Sequence, residues 1–275
     1  MDSIYTSGKY IETNPTWHAE DSPWKADQII KIICNNRIHP QTIAEIGCGA
    51  GAILDELSKK EYLKAVQFSG YDISPQAVEL AKHKESPSVR FFHEDLLSGT
   101  NAKHFDILLA IDVFEHVADY MGFLEKCKAK ADYKIFHIPL DIHVSSVLRN
   151  VFFGGRYTRG HLHYFTADSA IATLKDTGHE ILYYFYTSGG LELFKQHPSI
   201  KKAIASVPRW LFSKFSIPPQ SYGCKPVDEV IRRRRTGGAC NLKCYGRKPV
   251  EIYFAVHRKS IRRILTVCAD KVKNI

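Results

Sequence analysis

The sequence predicts an α/β fold in which a mostly parallel β-sheet lies between two layers of helices. Residues 40–140 alternate short apolar strands with helical segments, and this alternation is typical of parallel sheets covered by helices on both faces. A glycine-rich turn follows the first strand, and acidic residues stand at the ends of the later strands. We therefore expect a three-layer sandwich whose binding residues lie at the tips of the sheet.

Each predicted element follows from a local pattern. The strands are short runs rich in apolar and aromatic residues at 42–46, 65–71, 89–93, 105–111, 134–139 and 180–186. Helical periodicity marks 25–35 and 166–178, and Ser74 is suited to cap the helix after the second strand. The last strand has two candidates, 238–247 and 250–258, of which the second has the better strand composition.

A glycine turn separates the first strand from the helix that follows it. Gly47, Gly49 and Gly51 stand at alternate positions there, and without Cβ atoms the backbone can turn sharply and sit against a ligand. The N–H groups and partial positive charge of the next helix favour a nucleotide-like cofactor. Two cofactor classes fit, because Gly47, Gly49 and Ala52, with Asp72 about 20 positions on, also satisfy the dinucleotide fingerprint.

Acidic residues at the strand ends distinguish between these two cofactors. Glu45 lies at the end of the first strand, where a carboxylate would repel a pyrophosphate but attract the ammonium group of a sulfonium cofactor. Asp72 ends the second strand and can accept two hydrogen bonds from ribose hydroxyls. Glu94, Asp95 and Asp112 follow the third and fourth strands. Acid-lined strand ends of this kind favour a cationic nucleoside without phosphates.

Together these motifs resemble those of the class I S-adenosylmethionine-dependent methyltransferases, in the small-molecule and quinone-type subgroup. Order and spacing match over roughly residues 40–120, at 45–51, 70–74, 94–97, 105–106 and 112–117. The similarity continues less specifically through 160–166, and 14–18 with 21–25 looks like the subgroup's lid. The resemblance implies a Rossmann-like sandwich with a mostly parallel seven-stranded sheet, an antiparallel last strand, an N-terminal lid and a helical cap insertion.

The resemblance also implies which residues bind the cofactor. In that family the glycine turn holds the methionine moiety of S-adenosylmethionine, and S-adenosylhomocysteine is the product. By position, Asp72 would bind the ribose, Asp95 would meet the adenine amino group, and Ile111 would lie near the sulfonium. The implied cofactor residues are Trp17 of the lid, Glu45, Gly47, Cys48, Gly49, Gly51, Asp72, Ile73, Asp95, Leu96 (which would pack near the base) and Ile111.

Three histidines are candidates for chemistry on the methyl acceptor. An oxygen acceptor needs a base, a role for which histidine is suited. His116 follows the fourth strand, which ends at the cofactor's methyl group in this fold, although it also suits a local helix cap. His161 and His163 would face the same way on an extended segment, where they would line the acceptor pocket or anchor the loop.

A divalent metal is the further alternative for this region. Asp112, Glu115 and His116 resemble the E-x-x-E-H cluster of methyltransferases that use a divalent ion to grip vicinal hydroxyls. Their spacing places the three residues within one helical turn. The relatives have glutamate where this chain has Asp112, and the shorter side chain argues against an ion. We therefore expect a site without metal.

The chain divides into four predicted parts. They are 1–39, an N-terminal lid and helix; 40–190, the methyltransferase core; 191–235, a basic amphipathic segment; and 236–275, the final strand or strands with a basic tail. We expect residues 191–235 to pack as a cap over the active site. The alternative is an interfacial element that contacts a membrane surface or captures a lipophilic substrate.

Composition narrows the function classes further. A chain of 275 residues with 44% hydrophobic and 24% charged residues matches a soluble protein with a substantial core. Its seven scattered cysteines favour a reducing compartment, and Cys240 and Cys244 lack a second ligand pair for zinc. Without a signal-peptide pattern, we expect a cytoplasmic protein. The net charge of +9 is concentrated at 232–235 and in the tail, where we interpret it as a solvated face, since no nucleic-acid-binding module accompanies it.

The sequence therefore predicts a methyltransferase that acts on a small-molecule or lipid-linked acceptor, at oxygen. One alternative is an NAD(P)-dependent oxidoreductase, which the dinucleotide fingerprint allows. The other is a non-catalytic module that keeps the cofactor-binding fold or binds nucleic acid through its basic region. The intact glycine turn and Asp72 argue against that module, which would not need them.

Overall fold

The computed structural model describes residues 9–17, 19–99, 101–142, 146–147, 152, 156–157, 159–187 and 251–257. The predicted cap at 191–235 and the candidate strand at 238–247 lie outside these residues. Their predicted structures and roles therefore stay predictions.

The described residues form helices and strands in alternation. The helices are α1 (Lys9–Thr13), α2 (Ser22–Asn35), α3 (Ala52–Ser58), α4 (Pro75–Lys82), α5 (Tyr120–Cys127) and α6 (Ala167–Asp176). The strands are β1 (Thr42–Ile46), β2 (Gln67–Asp72), β3 (Val89–His93), β4 (Phe105–Ile111), β5 (Ala131–Pro139), β6 (Glu180–Thr187) and β7 (Glu251–His257). Short 3-10 helices lie at Ala19–Asp21, Glu61–Leu63 and Phe114–His116. No helix in these ranges is both long and apolar enough to cross a bilayer.

In the described part of the chain, the strands form one seven-stranded sheet in the order β3-β2-β1-β4-β5-β7-β6. Strands β1 to β5 pair in parallel, while β7 runs antiparallel to both β5 and β6. The predicted α/β fold, mostly parallel with an antiparallel last strand, is confirmed. Because β1 to β4 are parallel, their carboxyl ends meet at one edge of the sheet.

Strand pairing sets the strand bounds more closely than composition does. The last strand is the second of the two sequence candidates, and it pairs along β5 from Tyr133 opposite His257 to Pro139 opposite Glu251. Strand β5 begins at Ala131 rather than at residue 134, because Ala131 already pairs with β4. Strand β2 begins at Gln67 rather than at residue 65.

Hydrophobic cores cover both faces of the sheet. On one face, buried side chains of α2, α3 and α4 pack on the strands, among them Ile29, Leu54 and Val78. On the other face, α5 and α6 contribute Leu124 and Leu174. These two cores make the three layers that the alternating pattern predicts.

A buried histidine joins two elements on the second face. His179, just before β6, donates a hydrogen bond from Nε2 to the carbonyl of Leu124 at 3.0 Å, and its ring lies 5.4 Å from the ring of Phe136. Burial lowers the pKa of His179 to about 4. The imidazole is therefore neutral in the folded protein at neutral pH.

We expect mild acid to destabilise the protein through His179. Its folded pKa of about 4 lies below the ordinary value of 6.5, so its contribution is complete above the ordinary value and is lost as the pH falls towards 4. We compare the free energy of unfolding in urea at about pH 7 and at about pH 5. Its decrease between these two pH values should be about 1–2 kcal/mol smaller in His179→Gln than in the wild type. Parallel losses in the two proteins would contradict this assignment.

Candidate active site

The glycine turn bends across the carboxyl ends of β1 and β2. The amides of Gly47 and Cys48 both donate to the carbonyl of Tyr71, at 2.8 and 3.1 Å, which anchors the turn to β2. Gly51, at the start of α3, has a φ of +74°, and a Cβ on it would lie 2.4 Å from Cζ of Phe91. Glycine is needed there both for its backbone conformation and for space.

Part of the predicted lid lies on this turn. A Cβ on Gly49, whose φ is +53°, would lie 2.7 Å from Cδ1 of Trp17. The ring of Tyr10 in α1 packs against Trp17, with 5.1 Å between ring centroids. The structure therefore brings Trp17 onto the same turn as the sequence-predicted glycines.

Asp72 links the turn to the helix after β2. Its Oδ2 accepts a hydrogen bond from the amide of Gly49 at 2.9 Å, and its Oδ1 accepts one from the amide of Ser74 at 2.8 Å. Burial raises the pKa of Asp72, and these amide donors oppose the rise. Each carboxylate oxygen keeps a second lone pair, so Asp72 can still accept hydroxyl donors at the mouth of the site.

Glu45 is buried at the end of β1, with 1% of its surface exposed. Its Oε2 has no hydrogen-bond partner among the described residues. Burial raises the pKa of Glu45 well above its ordinary value, and the charge of Lys25 only partly offsets that rise. A buried carboxylate without a donor costs free energy, so this position favours a ligand that brings a cation or an N–H group.

The ends of β2 and β3 offer an exposed apolar surface. Ile73, directly after Asp72, is 50% exposed although its neighbours are buried. Asp95 is exposed and accepts a hydrogen bond from the amide of Leu97 at 2.9 Å. Leu96 lies fully buried in the core, so the apolar surface at this end of the site comes from Ile73.

Asp112 follows the buried Ile111 at the end of β4 and adopts a positive φ of 55°. Its Oδ2 lies 2.8 Å from Nζ of Lys25, and its Oδ1 lies 2.6 Å from Nδ1 of His137. Burial alone would raise the pKa of Asp112, but the charges of His137 and Lys25 hold it below its ordinary value. Asp112 thereby contacts Lys25 and His137 rather than Glu115 and His116.

Glu115, His116 and His161 form a cluster beyond the end of β4. The ring centroids of His116 and His161 are 4.9 Å apart. One nitrogen of each ring and one carboxylate oxygen of Glu115 lie within 4.8 Å of one another. The structure thus joins two of the sequence-predicted catalytic histidines with an acid that follows β4.

Burial shifts the pKa values of Glu115 and His116 in this cluster. Glu115 is fully buried, and burial, with the nearby charge of Asp112, raises its pKa well above the ordinary value. Burial lowers the pKa of His116 to about 4. His161 Nδ1 lies 2.7 Å from Oδ2 of Asp141. This contact fixes the orientation of the ring, and in the neutral tautomer that donates from Nδ1, Nε2 carries a lone pair.

His163 does not join the cluster. Its Nε2 donates to the carbonyl of Val117 at 3.0 Å, and its ring lies 4.5 Å from the ring of Tyr120. The expectation that His161 and His163 face the same way assumed an extended segment. Instead, the amide of His163 and that of the residue before it both donate to the carbonyl of Glu115, which bends the backbone between the two histidines.

Three further site residues had not been singled out from the sequence. Lys25, His137 and Asp141 contact Asp112 or His161, yet each lies far from its partner in the sequence. Lys25 belongs to α2, and His137 lies near the carboxyl end of β5, where nothing in the local pattern marks them as functional. Asp141 lies in the loop just after β5, so no element of its own marks it either.

Comparison with known proteins gives a family for the core. A sequence profile described as "Methyltransferase domain" matches residues 44–131. The chain is 24% identical over 103 residues to the ubiquinone biosynthesis O-methyltransferase of Actinobacillus pleuropneumoniae serotype 7 (strain AP76), across 34% of this chain and 42% of that protein. It is 30% identical over 93 residues to malonyl-[acyl-carrier protein] O-methyltransferase 1 of Ilyobacter polytropus, across 33% of this chain and 34% of that protein. The matches thus span less than half the length of these curated relatives.

A solved structure extends the likeness in fold. The plantazolicin methyltransferase BpumL, in complex with SAH (S-adenosylhomocysteine), superposes with a TM-score of 0.53 at 13% identity, over 92% of this chain and 89% of that one. The profile match covers the glycine turn, Asp72 and the exit of β4, which are the parts that form the site. The chain therefore carries a domain of the class I S-adenosylmethionine-dependent methyltransferase family.

Proposed function

We propose that this protein transfers a methyl group from S-adenosylmethionine to an oxygen of a small-molecule or lipid-linked acceptor. The observation that carries the proposal is the buried carboxylate of Glu45, whose Oε2 lacks a hydrogen-bond partner within the described residues. The ammonium group of the donor's methionine part supplies both a charge and N–H donors at this position. The glycine turn beside it leaves room for the rest of that moiety.

The remaining donor contacts follow from the same edge of the sheet. Asp72 would accept hydrogen bonds from the ribose hydroxyls, and Asp95 would accept one from the adenine amino group. The exposed Ile73 would cover one face of the base. Trp17 would close the lid over the methionine part. These assignments agree with the acid-rich, phosphate-free character of the strand ends.

The alternative dinucleotide cofactor fits less well. Its ribose would suit Asp72, but its pyrophosphate would lie near the glycine turn and Glu45. Two like charges at short range in a buried site repel strongly. Charge therefore favours the sulfonium donor over NAD(P).

On the acceptor side, the chain contributes alignment and a place for a proton. Methyl transfer is an in-line displacement whose reactivity comes from the donor, so the protein mainly aligns the partners and excludes water. His116 and His161 lie past β4, where the methyl group would point, and the low pKa of His116 leaves its imidazole neutral. An oxygen acceptor also agrees with the O-methyltransferase names of the two relatives.

The four-part division of the chain belongs to the same proposal. Residues 1–39 would close the donor site and 40–190 would form the methyltransferase core. Residues 191–235 would cover a lipophilic acceptor or contact a membrane surface, and 236–275 would complete the sheet and carry the basic tail.

Removing the charge of Asp72 should weaken donor binding. For Asp72→Asn we expect the Kd for S-adenosylhomocysteine in isothermal titration to rise about 5- to 150-fold, equivalent to about 1–3 kcal/mol. Asp132→Asn is the matched control, because Asp132 is 56% exposed and lies at the start of β5, on the opposite edge of the sheet. Equal affinities in Asp72→Asn and the wild type would refute the ribose assignment. Quenched NADH fluorescence in the wild type would support the oxidoreductase instead.

Glu45 should be specific for the amino-acid part of the donor. We expect Glu45→Gln to raise the Kd for S-adenosylmethionine and for S-adenosylhomocysteine by similar factors, about 10-fold or more, because both carry the ammonium group. Affinity for 5′-methylthioadenosine, which lacks that group, should stay unchanged. Thermal unfolding without ligand should not be weakened, since the variant removes a buried charge. Equal losses for all three ligands would contradict the assigned contact.

Transfer itself should favour oxygen. We expect a donor labelled in the methyl group to pass label to phenol, catechol or carboxylic-acid acceptors in a test panel, and not to amines of similar size. His161→Gln should lower kcat without changing the Kd for S-adenosylhomocysteine. Label found on amines alone would overturn the proposed acceptor class.

A further inference from the structure

The last residue of β3 joins the ends of two neighbouring strands. His93 lies opposite Asp72 in the parallel pairing of β2 with β3, and its Nε2 is 3.1 Å from the carbonyl oxygen of Ile73. A carbonyl oxygen can only accept, so this nitrogen donates the hydrogen bond. The side chain of His93 therefore holds the backbone of the residue that directly follows Asp72.

Ile73 is a residue whose position depends on such a contact. It lies after the end of β2 and before the start of α4, so its carbonyl group belongs to neither element. Its side chain is 50% exposed, although Asp72 and Ser74 on either side of it are buried. Covering an exposed isoleucine with an apolar ring removes apolar surface from water and is favourable.

We propose that His93 is a positioning residue for the methyl donor, which acts by holding Ile73 against the adenine base. The inference rests on the proposed function, because it assumes that the nucleoside half of the donor lies at the ends of β2 and β3. It adds a residue that belongs neither to the glycine turn nor to the acids at the strand ends.

A second contact ties the same two strand ends. The amide of Glu94 donates to the carbonyl of Asp72 at 3.1 Å, and Oε1 of Glu94 accepts a hydrogen bond from Nδ2 of Asn101 at 2.7 Å. Together with the contact of His93, these bonds fix the end of β2 relative to the end of β3. They thereby set the spacing between Asp72, proposed for the ribose, and Asp95, proposed for the adenine amino group.

The place of His93 favours a role in ligand binding over a role in folding. Its side chain is exposed, and a hydrogen bond at the surface contributes little to stability because water can replace either partner. In contrast, Val89 and Phe91 of the same strand lie in the hydrophobic core. Loss of the His93 ring should therefore leave the fold intact and change the affinity for the donor.

The test is isothermal titration of the full-length protein with S-adenosylhomocysteine and with 5′-methylthioadenosine, which keeps the adenine and the ribose. For His93→Leu, which removes the N–H group, we expect the Kd for both ligands to rise by similar factors, about 3- to 10-fold. His93→Gln keeps a side-chain N–H group and should stay within about 2-fold of the wild type. His83→Leu is the matched control, because His83 is an exposed histidine at the opposite end of α4 from Ser74.

A double-mutant cycle separates positioning from other effects. If His93 acts through Ile73, then His93→Leu should cost much less affinity in an Ile73→Ala background, where the side chain that it positions is absent. Thermal unfolding without ligand should agree within about 2 °C between the wild type, His93→Leu and His93→Gln.

Three results would each overturn the inference. They are an unchanged Kd in His93→Leu, an equal loss of affinity in His93→Gln, and a full loss in the Ile73→Ala background. If the folded wild type binds neither ligand, the proposed function fails and this inference fails with it. The failure of the inference alone is thus distinguishable from the failure of the proposed function.

Discussion

Buried carboxyl groups at the carboxyl edge of the sheet are the constraint on which the site depends. Glu45, Asp72 and Glu115 are all less than 10% exposed, and burial raises the pKa of each. Such carboxylates need partners, and the chain supplies them unevenly. Asp72 receives backbone amides, whereas the side-chain Oε2 of Glu45 and both carboxylate oxygens of Glu115 receive no hydrogen bond from the described residues. Of these oxygens, Oε2 of Glu45 is the one that we assign to the cationic donor.

Lys25 forms an ion pair with Asp112, the fourth acid of this edge. It reaches from α2 to the carboxylate of Asp112, which His137 contacts from the other side. Asp112 holds this position with a left-handed backbone, a conformation that aspartate tolerates better than most residues. The pair ties the helix behind the lid to the exit of β4. It also removes Asp112 from the ligand set that the contiguous D-x-x-E-H spacing would favour, so long-range packing decides what a short motif can do.

The sequence predicted the sheet, and it also indicated the residues of the proposed donor side, because both depend on local patterns. Glycines that need a positive φ, a cap at Ser74 and acids at strand ends are all visible within a few residues. The acceptor side depends instead on contacts between distant elements. His161 meets Glu115 because the later loop donates hydrogen bonds to the carbonyl of Glu115, just past β4, and no periodicity encodes that. The start of β5 was missed for the same reason, since pairing with β4 extends it.

The two sides of the site contribute differently to the proposed reaction. Glu45 and Asp72 would contact the ammonium and ribose groups, which donor and product share. Contacts that are equal before and after transfer raise affinity without lowering the barrier. Rate enhancement must then come from groups that would lie beside the transferring methyl group and the acceptor oxygen. In the proposed arrangement these groups lie past β4. There Glu115 is buried, and burial lowers the pKa of His116 to about 4, so a charge has larger effects in this region than in water. Locally encoded residues would thus hold the donor, and residues assembled by tertiary packing would perform the chemistry.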